Sequence, residues 1–454
     1  MNPFDKILGY EVVKKELLRL ADALQCQLPY KLIGVSAPRG LILHGDPGVG
    51  KTLMAKCLIE ASGRKACVCR RDRNSRDFLQ MIVQVFDSAM KDEPSVILLD
   101  DLDKFAESEE GCGNEEEFVT VQACIDKLDD ADVFVIGTVN DLDRLPDSLK
   151  RPGRFDKIIH VEQPTGEDAV NITRHYLSTK PVTEDVDPIL ITKIIEGGSC
   201  AALEAAVNAA GRLAGFERCG KISMRHMLAG CIETVFQVPY DLITSHRGRN
   251  PDDVSDEFSR AACHEAGHAL VAEVLKSGCV ALTCIHECWN SSYGFTSCAD
   301  MRDFRVETLL NTIMISLAGG AATEHRFGIV DDGTFEDYRK ARRILRDMIT
   351  QYAARGFSLL ESPYRDSEDL LANQDRCAGL ELERLYACAK RIISENEEFH
   401  LKLSCALLDK GCLTAKELQE IKETCRIVPP DMDKTHISRQ ALFSVQSSCR
   451  MAAG

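Results

Sequence analysis

Eight residues restrict this chain more than any others: Gly45-Asp46-Pro47-Gly48-Val49-Gly50-Lys51-Thr52, set between the apolar run Leu41-Ile42-Leu43 and a helical stretch over 53–60. They fit G-x-x-x-x-G-K-[ST] in the strand–loop–helix order that gives the pattern its meaning. The glycines let backbone N–H groups curl around phosphate oxygens, Lys51 brings a point charge to the β- and γ-phosphates, and the Thr52 hydroxyl can ligate Mg²⁺. The helix that follows aims its positive end at the same anion. Two further short apolar runs, Val96-Ile97-Leu98-Leu99 and Val133-Phe134-Val135-Ile136, are each followed by a polar turn. That is the pattern of buried parallel strands, so residues 1–163 are expected to form an α/β domain with a parallel sheet.

The ends of those runs carry the groups a bound triphosphate needs. Leu98-Leu99 lead into Asp100 and Asp101. Asp100 fits the acidic residue that holds the Mg²⁺ water shell, and Asp101 the base that polarises the attacking water. The next run ends in Gly137-Thr138-Val139-Asn140, where Asn140 can reach the γ-phosphate or that water. Arg151-Pro152-Gly153-Arg154-Phe155-Asp156 then places two arginines on one short turn. After such strand ends, Arg151 and Arg154 read as fingers for a neighbouring subunit's γ-phosphate, which implies a ring.

A second chemistry begins at His264-Glu265-Ala266-Gly267-His268. The flanking sequence is strongly helical, and residues at i and i+4 share one helix face, so both imidazoles can meet one ion. Glu265 stands beside the first of them and can take a proton from water on a Zn²⁺, an ion that lowers the pKa of such water to about 7. A catalytic zinc needs a third protein ligand. Spacing alone leaves Glu273, Glu324, Asp331, Asp332 and Asp337 all in range.

Composition narrows the partners. The formal net charge is −16 with a pI near 5.3, and an acidic surface repels phosphate backbones, so no nucleic acid partner is expected. The 20 cysteines are scattered from Cys26 to Cys449. No signal peptide precedes them, so they read as reduced thiols acting as small buried hydrophobes in a cytoplasmic protein. Cys284 and Cys288 flank His286, but not at a zinc-knuckle spacing. No run approaches the roughly 18 apolar residues needed to span a bilayer; the best, 309–322, is broken by Asn311, Thr312 and Ser316. The expected organisation is a large ATPase domain (1–163), a small helical lid (164–240), a linker (241–256), a zinc metallopeptidase domain (257–425) and a C-terminal tail (426–454).

The order GDPGVGKT, LLDD, TVND and RPGRFD, followed by Gly197-Gly198-Ser199-Cys200-Ala201-Ala202-Leu203, resembles the AAA+ ATPase module. With HEAGH downstream, the chain more narrowly resembles the FtsH family of membrane-associated, ATP-dependent zinc proteases. Phe4-Asp5-Lys6-Ile7-Leu8-Gly9 resembles the segment that precedes the nucleotide pocket there. The resemblance covers about residues 4–425. It implies an α/β AAA+ domain with a helical lid and a mainly α, zincin-type peptidase domain. It also implies ATP, Mg²⁺ and one Zn²⁺ per subunit, a hexameric ring, and hydrolysis of protein or peptide substrates. The family's Thr-Gly-Ala-x-(Asn/Ser)-Asp-Leu run follows a Gly-Gly-rich helix, and its Asp is the third ligand. Here Gly319-Gly320-Ala321-Ala322-Thr323-Glu324 is followed by Asp332-Gly333-Thr334-Phe335-Glu336-Asp337-Tyr338. The resemblance therefore selects Asp337, and it puts Glu324 behind the ligands as an orienting residue. Ser292-Tyr293-Gly294-Phe295-Thr296 resembles the family's edge strand, to which a substrate adds as a β-strand.

Three departures set expectations of their own. The family has two transmembrane helices before the ATPase module, whereas Met1 lies almost at its start, so a soluble form or one docked through a partner is expected. The family's pore loop carries an aromatic residue, a hydrophobic residue and a glycine. Asn74-Ser75-Arg76 stand there, in a basic loop that opens with Arg70-Arg71-Asp72-Arg73. The family's Asp-Glu pair is Asp100-Asp101, one methylene shorter, which is expected to slow ATP turnover. The peptidase groups are intact, so a competent peptidase with a weak or altered motor is expected. The alternatives are a remodeller without proteolysis and a peptidase that nucleotide only organises.

Overall fold

A computed structural model describes residues 2–34, 38–71, 77–105, 116–128, 131–243, 247–286, 294–299, 305–329, 332–350 and 368–430. The chain divides into two compact units, Met1–Phe236 and Gln237–Gly454.

The first unit runs α1 (Glu11–Gln25), α2 (Gln27–Leu32), β1 (Gly40–His44), α3 (Lys51–Ser62), β2 (Lys65–Arg70), α4 (Phe78–Lys91), β3 (Ser95–Asp100), α5 (Glu116–Asp126), β4 (Val133–Val139) and β5 (Lys157–His160). The strands form one parallel sheet in the order β2-β3-β4-β1-β5. Side chains alternate across it, as a strand requires. Leu41 and Leu43 join Leu98 and Ile136 on the face covered by Leu17 of α1 and Met54 and Leu58 of α3. Ile42 joins Ile97, Leu99 and Val135 on the face covered by Phe78, Ile82 and Phe86 of α4 and Val121 of α5. The three apolar runs seen in the sequence are the central strands β1, β3 and β4. Both edge strands were missed. β2 (Lys-Ala-Cys-Val-Cys-Arg) is mostly exposed and its four apolar residues are two cysteines, an alanine and one valine, and β5 is only four residues long.

Four helices complete this unit: α6 (Gly166–Ser178), α7 (Pro188–Ile194), α8 (Cys200–Phe216) and α9 (Met224–Phe236). Ser199 caps α8 by accepting from the Ala202 N–H. Gly230 lets α9 approach α8 closely, since a Cβ there would lie 2.4 Å from the Ala206 carbonyl oxygen.

The second unit runs α10 (Glu257–Leu275), β6 (Val280–Ile285), β7 (Gly294–Cys298), α11 (Val306–Phe327), α12 (Phe335–Thr350), α13 (Glu368–Glu395), α14 (Glu397–Lys410), β8 (Cys412–Thr414) and α15 (Ala415–Glu423). Helices α10 and α11 share one core with α12, α13 and α14. They meet at Gly267, where a Cβ would lie 2.6 Å from Ala322 Cβ and 2.7 Å from the Ala318 carbonyl oxygen. An antiparallel sheet, ordered β7-β6-β8, lies beside them with β7 at one edge. The sequence reading had this region largely helical and gave only the β7 stretch as a strand. The apolar run 309–322 lies within α11, whose inner residues are buried in the core. Among the described residues, no helix is long and apolar enough to cross a membrane. The cysteines of the described residues are free, and Cys57, Cys69, Cys231 and Cys263 are among those buried as small apolar groups. Cys284 lies against Cys412 across the β6–β8 pair. Asn74, Ser75 and Arg76, Cys288, Ser292 and Tyr293, Asp331 and the tail after 430 lie outside the described residues.

Candidate active site

The nucleotide loop is built where β1 turns into α3. Gly48 and Gly50 hold left-handed backbone at φ 82° and 99°. At Gly45 a Cβ would lie 2.1 Å from the Val161 carbonyl oxygen, so only glycine lets β1 turn here. No side chain caps the start of α3, so its free N–H groups remain for an anion. Lys51 is buried, and its Nζ donates to the carbonyls of Gly45 (2.7 Å) and Asp46 (2.8 Å) and to Asn140 Oδ1 (2.9 Å). Burial lowers its pKa, against the pull of Asp103, Asp101, Asp46 and Asp100. Asp100 Oδ1 accepts from the Thr52 and Thr138 hydroxyls, at 2.8 Å each. Lys51, Thr52, Asp100 and Asn140 are thus brought together at the strand ends. The lid segment also abuts the loop: the Ala201 N–H donates to the Gly48 carbonyl at 3.1 Å.

Asp101 joins that network through its backbone, its N–H donating to the Thr138 hydroxyl at 2.9 Å, while its side chain is engaged elsewhere. Its backbone is left-handed at φ 56°, and its carboxylate meets Arg70 (3.3 Å) and Lys104 (3.2 Å). Arg70 was read as part of a basic loop. It is instead the last residue of β2, in register with Asp100. Nothing in the sequence signalled the pair, because β2 itself was not legible. Arg71 is tied back as well, donating to Glu117 at 3.2 Å and to the Phe105 carbonyl. Of the two arginines expected to act as fingers, Arg151 is exposed, while Arg154 grips both oxygens of Asp126 in its own chain, at 2.8 and 2.9 Å.

In the second unit, α10 presents His264 and His268 one turn apart, and the first turn of α12 brings Asp337 to them. The two Nε2 atoms are 3.0 Å apart, and Asp337 Oδ2 is 3.0 Å from one and 3.1 Å from the other. His268 Nδ1 donates to the Ile315 carbonyl at 2.6 Å, which turns its Nε2 toward the other two atoms. Two imidazole nitrogens and a carboxylate oxygen converging this closely require positive charge between them. The set matches the three protein ligands of a catalytic Zn²⁺ site. The electrostatics agree. Burial disfavours charge on His268, yet Asp337 beside it, with Glu265 behind, raises its pKa to about 9. Burial likewise disfavours the Asp337 carboxylate, but the two imidazoles hold it well below the usual range. Gly319 leaves the space: a Cβ there would lie 2.2 Å from His264 Nε2.

Of the other candidate ligands, Glu273 is buried and bonded to Lys422 (2.9 Å) and to the N–H groups of Gly278 and Val280. Glu324 accepts from Tyr386 (2.6 Å) and pairs with Lys390 (2.9 Å). The orienting contact on His268 comes instead from the Ile315 carbonyl, which no sequence pattern marks. Glu265 is buried beside the histidines, and burial raises its pKa against their opposing charge. Its Oε2 accepts from the Thr296 hydroxyl at 2.7 Å. A cavity of about 290 Å³ opens here, lined by His264, Glu265, His268, Thr296, Ile315 and Asp337 among others.

A second group, Glu217, Cys219 and His226, has metal-like spacing. There His226 Nδ1 accepts from the Ser223 N–H at 3.0 Å, so Nε2 carries the proton and donates to Glu217 at 3.1 Å. That is a hydrogen-bonded tie within the lid.

Two family descriptions match the chain. Residues 41–163 match the ATPase family associated with various cellular activities (AAA), and residues 254–421 match peptidase family M41. The ATP-dependent zinc metalloprotease FtsH of Thermus thermophilus is 29% identical over 460 residues, covering 94% of this chain and 72% of that protein. The chain belongs to the FtsH family. FtsH 2 of a Thermoanaerobacter species is 27% identical over 437 residues, covering 92% of this chain and 82% of its own length. FtsH 3 of Symbiobacterium thermophilum is 28% identical over 472 residues, covering 94% and 72%. The AAA match spans the nucleotide loop, and the M41 match spans the two histidines and Asp337. The FtsH family thus takes in both sites.

Proposed function

We propose that this FtsH-family chain is an ATP-dependent zinc metalloendopeptidase. One observation carries the reading: His264, His268 and Asp337 converge on a single point beside the buried Glu265. The three residues would hold the metal, and Zn²⁺ bound there would supply water acidified to near neutral pH and a Lewis acid for a peptide carbonyl. Glu265 is the group that takes up a proton and delivers it to the leaving nitrogen. β7, at the edge of the described sheet, is the strand beside the cavity along which an extended substrate backbone runs. The Ile315 carbonyl keeps the His268 imidazole in one orientation throughout.

In the first unit, the backbone of Gly45–Thr52 and the side chains of Lys51, Thr52 and Asp100 bind ATP with Mg²⁺. Asp101 and Asn140 act on the attacking water. Arg151 and Arg154 complete the site of a neighbouring subunit, in a ring taken as hexameric from the family resemblance. The reading has no nucleic acid partner. It places the chain in the cytoplasm, with any membrane contact made through partners.

Glu265→Gln tests the reading. It keeps the size and polarity of the side chain and removes the base. Casein cleavage is expected to fall by at least about 10²-fold while zinc stays bound at one ion per chain. Undiminished cleavage refutes the assignment. A zinc chelator is expected to stop the wild-type protein in the same assay.

A further inference from the structure

The base of the peptidase site is held by a residue of the strand that takes the substrate. Thr296 stands in the middle of β7, and its Oγ1 lies 2.7 Å from Glu265 Oε2 and 2.8 Å from Thr283 Oγ1. Thr283 and Thr296 are direct cross-strand partners on β6 and β7. A hydroxyl has one proton to give. The carboxylate oxygen only accepts, so the Thr296 proton goes to Glu265. The Thr283 proton is then the one that fills the gap between the two hydroxyls. The direction of the chain is fixed: Thr283 donates to Thr296, and Thr296 donates to Glu265. Thr283 is fully buried, so its hydroxyl has no water to turn to. Two residues earlier on the same face of β7, Gly294 comes so close that a Cβ would lie 2.5 Å from Glu265 Cγ. The strand therefore clasps Glu265 from two positions: glycine allows the approach, and the threonine hydroxyl fixes the carboxylate.

We propose that Thr296, oriented by Thr283, is a positioning residue that sets the Glu265 carboxylate for proton transfer. Because Thr296 belongs to β7, a substrate strand that pairs with β7 sets the same base that will act on it. The proposal rests on the peptidase reading above. A hydroxyl that merely satisfied a buried polar atom would show no preference for orientation and no link to turnover.

Thr296→Val removes the hydroxyl at nearly constant shape, and Thr296→Ser keeps it. With a fluorogenic peptide, Thr296→Val is expected to lower kcat by about 10–100-fold, with KM and zinc content within about twofold of wild type. Thr296→Ser is expected to restore kcat to within about threefold. Thr283→Val is expected to give a smaller loss, and the double variant Thr283→Val/Thr296→Val no more than Thr296→Val alone, because both act through one bond. Wild-type kcat in Thr296→Val overturns the proposal. So does a Thr296→Ser variant as slow as Thr296→Val, or a loss explained by missing zinc. A crystal structure of Thr296→Val supplies a readout free of activity: the Glu265 carboxylate is expected to leave its wild-type position, and an unmoved carboxylate counts against the role. Should wild-type protein itself fail to cleave peptides, the peptidase reading falls, and the displaced carboxylate still decides the positioning.

Discussion

A methyl group at position 319 would lie 2.2 Å from His264 Nε2, well inside van der Waals contact. The His264 ring is held on both sides, by α11 on one and by His268 and Asp337 at 3.0 Å on the other. The ring must therefore swing off the metal position, or α11 must back away from α10 at the Gly267 contact. Gly319→Ala is expected to weaken zinc affinity by at least about 10-fold. The check is the zinc retained per chain after dialysis against a weak chelator, with a thermal melt to show that the fold persists. Full zinc retention would mean that the helices yield more easily than this packing allows. The same residue shows how far sequence reaches. The two histidines and Glu265 were plain at helical spacing. The third ligand was not legible from spacing, which left Glu273, Glu324, Asp331, Asp332 and Asp337 in range; the family resemblance selected Asp337. The fold brings Asp337 to the histidines and gives Glu273 to Lys422 and Glu324 to Tyr386 and Lys390. Thr296 was legible only as part of the edge strand that the resemblance gave, and the Ile315 carbonyl carried no signal, because their contacts come from a strand and a helix meeting α10.

At the scale of elements, α14 is tied to α10 by one buried histidine. His400 Nε2 donates to the Cys263 carbonyl at 2.9 Å, and the residue is 1% exposed. Burial lowers its pKa from 6.5 to about 4, with Arg326 and His325 adding to the effect. The unfolded chain protonates this group near pH 6.5, whereas the folded chain resists until about pH 4. Its contribution is present above pH 6.5 and lost as pH falls through that window, to the extent of about 3 kcal/mol. His400→Gln keeps a donor and cannot titrate, so its melting temperature is expected to fall less steeply between pH 6.5 and pH 4 than that of wild type. Parallel profiles would show that another group dominates. Elements also explain which parts of the fold were legible. β1, β3 and β4 are buried on both faces and read as unbroken apolar runs. β2 is an edge strand with alternating exposure and a charge at each end. Missing it hid the register that sets Arg70 beside Asp100 and Asp101. β6, by contrast, is apolar and entirely buried, but it sits between long helices and is too short for periodicity to separate it from them.

For the whole molecule, the question is what ATP contributes to the peptidase. The FtsH relatives are named for both activities, and both sites are present here in separate compact units. Two features bear on the motor. By the resemblance, Asn74-Ser75-Arg76 stand about where the family's pore loop carries its gripping aromatic. Asp101, the short carboxylate proposed to polarise the attacking water, already pairs with Arg70 and Lys104. A base so engaged must shed two cations before it can polarise water, and general-base steps are worth about 10²–10⁴-fold in rate. His264, Glu265, His268 and Asp337 all belong to the other unit. Peptide-bond cleavage is therefore expected to outrun unfolding. Loosely folded casein is expected to be degraded in the presence of ATP, and nearly as fast with a non-hydrolysable analogue that only organises the ring. A tightly folded substrate carrying the same degradation tag is expected to survive in both conditions. The decisive measurement is the ratio of the two degradation rates with hydrolysable ATP. Rapid, ATP-driven loss of the folded substrate would show that a polar pore position and a shortened base still drive threading. Casein cleavage that stops with the analogue would show that turnover, rather than bound nucleotide, licenses the zinc site.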